Sequence, residues 1–191
     1  MNPLSGDGWF WEVGNGLGFI GLALLLIMTL NGRNKGGHSS IHRWLGFSCL
    51  FAIIAHGLWF VLGDDTVIEY IKFDAPFYML LGVLALVLII FLTLTSLLLF
   101  RKKAYRDRYI FLQWHNYLSH VILIISVLHT ALSGYYFISV IQWLSMLSLV
   151  IFVYVVKDTS QPKIPKKSFA FLLLLAWVLL GVFVFIRNVI S

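Results

Sequence analysis

The chain has 191 residues, of which 60% are hydrophobic, 16% aromatic and only 12% charged. Soluble domains carry about 25% charged residues, so this composition excludes an ordinary soluble globule and points to a bilayer, where a crossing helix takes roughly 20 apolar residues. The formal net charge of +6 does not mark nucleic-acid binding, because the basic residues gather at helix ends and in short loops, where membrane topology requires them.

The apolar runs lack the strict alternation of barrel strands. Backbone exposed to lipid must satisfy its own hydrogen bonds, so the sequence predicts an all-α integral membrane protein: one domain over 1–191, a six-transmembrane-helix bundle. The predicted spans are 14–30, 41–62, 77–100, 110–133, 136–156 and 169–189. The leading stretch MNPLSGDGWFWEVG has no basic region before its first apolar run and does not resemble a cleaved signal peptide. The first connection carries Arg33 and Lys35, with Arg43 soon after. The second carries Asp64, Asp65, Glu69 and Asp74 against Lys72, and ends at Pro76, which suits a helix start because its missing N–H costs nothing there. The third carries Arg101, Lys102, Lys103, Arg106 and Arg108 against Asp107. Ser133, Gly134 and Tyr135 mark the junction of the fourth and fifth spans, a length that suits a tight turn. The last connection holds Lys157, Lys163, Lys166 and Lys167 with Pro162 and Pro165.

Basic and acidic connections therefore alternate. The positive-inside rule places the first, third and fifth in the cytoplasm and both termini outside, with Asp7 and Glu12 in the outer N-terminal tail. Arg187, near the outer end of the last span, is a mild exception. Trp9, Trp11, Trp44, Trp59 and Trp114 fall near span ends, as interfacial anchors do. Cys49 stands alone within an apolar run, so no disulfide or thiolate metal cluster forms within the chain.

The second span contains His42 and His56, and the fourth contains His115 and His129. Both pairs are fourteen residues apart. Fourteen steps of about 100° come within roughly 40° of whole turns, so each pair shares a helix face, with its members about 21 Å apart along the axis. The two spans run in the same direction. His42 and His115 thus belong near the cytoplasmic end, and His56 and His129 near the outer end. Two levels of facing imidazoles suit bis-imidazole axial ligation of two stacked haems. A single membrane histidine is often an interhelical hydrogen-bonding residue, but that account fits two matched pairs poorly. Four ligands in two levels about 21 Å apart cannot close one tetrahedral zinc site.

His120 is five residues past His115 and points away from the pair face by roughly 140°. Packing is its expected role, with a neighbouring helix, a quinone or another hydrogen-bond partner as the group it faces. His38 belongs to a cytoplasmic loop and is expected in solvent. Gly46 and Gly57 thin the surface of the second span, as a flat macrocycle requires and as ordinary helix packing also does. Arg43 has the charge and depth of a haem-propionate partner, and equally those of a snorkelling cytoplasmic arginine. Lys35, Arg101 and Arg108 offer the same charge less directly.

The stretch HRWLG at 42–46, His56, WH at 114–115 and LH at 128–129 together resemble the ferric-reductase-like transmembrane domain superfamily. That group includes the membrane cores of NADPH oxidases and ferric reductases, and the bacterial haem-binding subunit of the periplasmic methionine sulfoxide reductase system. The resemblance covers roughly 14–156. It implies a bundle with two b-type haems that moves electrons across a membrane, His42 and His115 holding the inner haem and His56 and His129 the outer, with Arg43 matching the family's basic residue after the first histidine. The second spacing is one residue shorter in the large oxidases, which favours a small bacterial homologue in the inner (cytoplasmic) membrane.

The expected function is electron transfer from a separate cytoplasmic reductase or quinone to an extracytoplasmic acceptor or redox protein, with a quinone or flavin as a further cofactor to consider. The large relatives carry a fused flavin and nicotinamide domain. This sequence has no G-x-G-x-x-G fingerprint after a strand and is not expected to oxidise NAD(P)H by itself. Two other classes stay open. One is a stand-alone quinone-, metal- or superoxide-linked oxidoreductase, for which Asp64, Asp65 and Asp74 would attract cations. The other is a haem-free scaffold or transporter with packed histidines.

Overall fold

A computed structural model describes residues 8–31, 40–97 (except 66, 68, 70, 71 and 73), 108–133, 139–159 and 178. Among them the long elements are all helical: α1 (Trp9–Asn31), α2 (Ser40–Gly63), α3 (Phe77–Ser96), α4 (Arg108–Leu132) and α5 (Val140–Thr159). Four have the length and apolar character to cross a membrane, over Trp9–Thr29, Ile41–Gly63, Phe77–Ser96 and Tyr109–Leu132, and Val140–Val153 is a shorter apolar helix. The predicted sixth span, 169–189, lies outside the described residues apart from Val178.

Two helix starts, those of α1 and α5, differ from the hydropathy reading, each for a local reason. α1 begins at Trp9, before the predicted start, because the helix carries straight through Glu12. That residue belongs to the first turn, where the helix dipole favours a carboxylate, and it is fully buried rather than part of a solvated tail. α3 begins at Phe77 as predicted, with Pro76 as its N-cap, at φ −53° and ψ 138°, and the Pro76 carbonyl accepts the first helical bond from Met79 N–H at 2.8 Å. α5 begins at Val140 rather than 136 because Ser139 caps it. The Ser139 N–H donates to Gln142 Oε1 at 3.0 Å, and the Gln142 N–H approaches Ser139 Oγ at 3.4 Å. That reciprocal arrangement is a capping box, legible as S-x-x-Q.

Hydroxyls inside the helices are satisfied locally. Thr29, Thr95 and Thr130 donate to the carbonyls of Leu25, Phe91 and Ser126, each at 2.9 Å. Bonds to the preceding turn let polar side chains sit in an apolar medium.

Among the described residues α1 is the most buried of the four long apolar helices. It packs along α2 and also meets α4 and α5, while α3 packs along α4. The α1–α2 seam is antiparallel and built on Gly14, Gly18 and Gly21, which share one helix face. A Cβ at Gly14 would stand 2.8 Å from Trp59 Cδ1, one at Gly18 3.0 Å from His56 Cε1, and one at Gly21 2.7 Å from Ile53 Cγ1. Small residues let membrane helices approach this closely. The seam is tied by Cys49, whose thiol donates to the Gly21 carbonyl at 3.3 Å, and at its end by Trp59, whose Nε1–H donates to the Phe10 carbonyl at 2.8 Å. Between α2 and α3, Lys72 pairs with Glu69 on the surface. The core contains Leu22, Leu25, Leu45, Cys49, Ile89, Ile122 and Leu123. Large apolar side chains such as Phe51, Val87, Phe91, Ile124 and Phe152 project outward, as a lipid-facing surface demands.

Candidate functional site

The structure brings the four histidines of α2 and α4 into two pairs. The ring centroids of His42 and His115 are 6.0 Å apart with planes at 63°. Those of His56 and His129 are 6.5 Å apart with planes at 74°. α2 and α4 do not pack closely on each other; each leans on another helix, α2 on α1 and α4 on α3. The imidazoles therefore reach toward one another from helices held apart by the rest of the bundle.

Each level has an aromatic neighbour one turn along its helix. Phe111 lies 5.3 Å from His115, and Phe60 lies 5.3 Å from His56 at 90°. At the second level, hydrogen bonds define the ring nitrogens. His56 Nδ1 stands 2.7 Å from the Gly14 carbonyl of α1. His129 Nδ1 stands 2.6 Å from the Tyr78 carbonyl of α3. A carbonyl only accepts, so each Nδ1 carries a proton and donates it. In the neutral rings Nε2 then bears the lone pair.

The donor set would suit a metal held by one imidazole from each of α2 and α4. Two imidazoles that shared one ion would have ring centres roughly 6 Å apart. Edge-to-face ring packing has a similar spacing, so distance alone does not distinguish them. At the second level both Nδ1–H donors are also engaged by backbone carbonyls of neighbouring helices, an arrangement that outer-shell partners of metal-bound histidine share. No cluster of three or more His, Cys, Asp or Glu side chains with metal-site geometry occurs among the described residues. Two-ligand sites of this kind suit a macrocycle that supplies the remaining donors.

The other sequence-predicted residues take different places. Arg43 is exposed beside His42 at the start of α2. Arg108 is the first residue of α4. His120 is half-buried and turns Nδ1 to the Asn116 carbonyl of its own helix at 2.5 Å, apart from either pair. Gly46 and Gly57 make only ordinary contacts, a Cβ at each meeting Met28 Sδ or Leu86 Cδ2 at 3.9 Å. The glycines pressed against imidazoles are Gly18 and Gly82, in α1 and α3. His38, Lys35 and Arg101 lie outside the described residues.

Helices of this length and composition, with two half-buried levels of paired imidazoles, define a multi-pass helical membrane protein. Residues 16–111 match the family described as Ferric reductase like transmembrane component. That is half of the chain, and the protein belongs to this family, which gives it a membrane redox, electron-transfer role with redox partners. The matched region includes His42 and His56 and ends four residues before His115. No curated protein and no solved structure matches the chain.

Proposed function

We propose that the protein is a six-span b-type cytochrome with two haems, passing electrons from a cytoplasmic reductase or quinone to an extracytoplasmic acceptor. The observation that carries this reading is the pair of imidazole levels shared by α2 and α4 in a member of the ferric reductase-like family. His42 and His115 would hold the haem near the cytoplasm, and His56 and His129 the haem near the outer face. Bound haem supplies one-electron redox chemistry.

The chain's own contribution is ligation, spacing and exclusion of water. α1 and α3 orient the rings of the second level through the Gly14 and Tyr78 carbonyls. Leu45, Cys49, Ile122 and Leu123 form a dry layer between the levels, each no more than 1% exposed. Arg43, exposed at the start of α2, supplies positive charge for a propionate at the cytoplasmic level. On this reading that level lies in the cytoplasmic half of a bacterial inner membrane with both termini outside, as the positive-inside rule favours for the basic connections.

The test is haem quantification followed by transfer across a membrane. The purified chain should carry two b-type haems. In sealed vesicles with the cytoplasmic face outward, an impermeant reductant should reduce an acceptor trapped in the lumen. His56→Ala should impair that passage more than it impairs reduction of the first haem. A stoichiometrically haem-free preparation would end this reading, and lumen reduction unchanged after loss of the second haem would end the two-step route.

A further inference from the structure

The two histidines of the second level are seated by the same backbone device on two different helices. In α1 the acceptor is the Gly14 carbonyl, and four residues later comes Gly18. In α3 the acceptor is the Tyr78 carbonyl, and four residues later comes Gly82. In an α-helix the carbonyl of residue i points along the axis to the N–H of residue i+4. The side chain at i+4 overhangs that carbonyl, because Cα–Cβ bonds lean toward the helix N-terminus. Glycine at i+4 removes the overhang and leaves the second lone pair of the carbonyl open to a donor from outside.

The imidazoles occupy the space that glycine leaves. A Cβ on Gly18 would stand 3.0 Å from both Cε1 and Nδ1 of His56. A Cβ on Gly82 would stand 2.7 Å from Cε1, 2.9 Å from Nδ1 and 3.1 Å from Nε2 of His129. In each case the crowded edge is the one that carries the hydrogen-bonded nitrogen. One such contact is ordinary close packing. The same offset on two helices, under two histidines that face each other, indicates a shared purpose.

We propose that Gly18 and Gly82 are positioning residues for the His56–His129 pair: each opens the carbonyl one turn before it so that the histidine donates Nδ1–H there, which fixes its tautomer and ring orientation. This inference rests on the proposed function for its redox consequence, because a hydrogen-bonded Nδ1 makes an imidazole a more basic ligand and favours the oxidised form of the metal it holds. Neither glycine touches the cofactor in this account; both act through the histidines.

Gly21 supplies the control. A Cβ there would be as crowded as one at Gly82, 2.7 Å from Ile53 Cγ1, yet it meets no imidazole. The full chain, labelled with 15N-histidine and kept reduced, is examined by NMR, and its haem potentials are titrated. Wild type should show Nδ1–H tautomers for His56 and His129. Gly82→Ala should move the Nδ1–H signal of His129, and the milder Gly18→Ala that of His56. Each should raise the midpoint potential of one and the same haem and leave the other unchanged. Gly21→Ala should weaken the fold without moving either signal or potential. Unchanged Nδ1–H signals in both Gly18→Ala and Gly82→Ala would overturn the proposal, as would equal shifts from Gly21→Ala. A haem-free preparation would sink the cytochrome function but not this test, because the tautomers are read from the histidines themselves.

Discussion

Cys49 in α2 and Ile122 in α4 are each seven residues from both histidines of their own helix, and each is fully buried in the same core. Seven residues fall about 20° short of two turns, so these side chains share the histidine face and mark the middle of the space between the two levels. The fourteen-residue spacing therefore does more than align imidazoles. It leaves room for one dry apolar layer between two polar ones.

That layer should be sensitive to volume. Ile122→Ala is expected to cost about 2 kcal/mol or more, because a buried methylene cluster is removed from a packed site. Ile124→Ala, on a side chain 55% exposed, is expected to stay within about 0.5 kcal/mol of wild type. Reversible unfolding in mixed micelles measures both. Equal losses at the two positions would show that the interior between the levels is not tightly packed.

The histidine pairs should fail as pairs. His56→Ala and His129→Ala should remove the same haem equivalent and leave the other at least partly bound, while His42→Ala and His115→Ala should remove the complementary one. His120→Ala should leave the haem count near wild type, since the facing pairs are His42 with His115 and His56 with His129. Haemochrome quantification with redox titration distinguishes the two equivalents. Loss of one haem in His120→Ala with full retention in His115→Ala would reverse the ligand assignment.

Orientation is a separate expectation. In a Cys49→Ala background, a cysteine at position 65 should react with an impermeant maleimide added from outside, and one at position 103 should not. The acidic second connection and the basic third motivate this pattern. The opposite labelling would exchange the two sides, leaving the pairing of the histidines intact.

The α1–α2 seam offers a stability test away from the site. Trp59→Phe keeps an aromatic ring beside Phe10, where the indole now stacks at 5.8 Å, but deletes the Nε1–H bond to the Phe10 carbonyl. The expected cost is about 1 kcal/mol, seen as a modest fall in thermal midpoint with haem content unchanged. A large loss of haem would mean that this end of the seam also holds the His56 level in place.

Periodicity alone made much of the site legible. Apolar runs without alternation require helices in lipid, and a fixed angle per residue puts His42 with His56, and His115 with His129, on one face of each helix. Those relations lie within single elements, so the residue order determines them. Hydropathy located α2 and α3 closely. It started α1 late because Glu12 interrupts the apolar run, and it passed over the capping box at Ser139 and Gln142.

Tertiary structure alone decided what lies behind the rings. The acceptors for His56 and His129 are backbone carbonyls of Gly14 and Tyr78, which no residue type announces, at sequence distances of 42 and 51 residues. Gly46 and Gly57 attract notice because they lie on the histidine helix, yet the glycines that touch imidazoles are Gly18 and Gly82 on other helices. A backbone carbonyl has the same chemistry at every position. Which one accepts a hydrogen bond depends on how the neighbouring helix is placed, and that follows from packing along the whole seam rather than from any local run of residues.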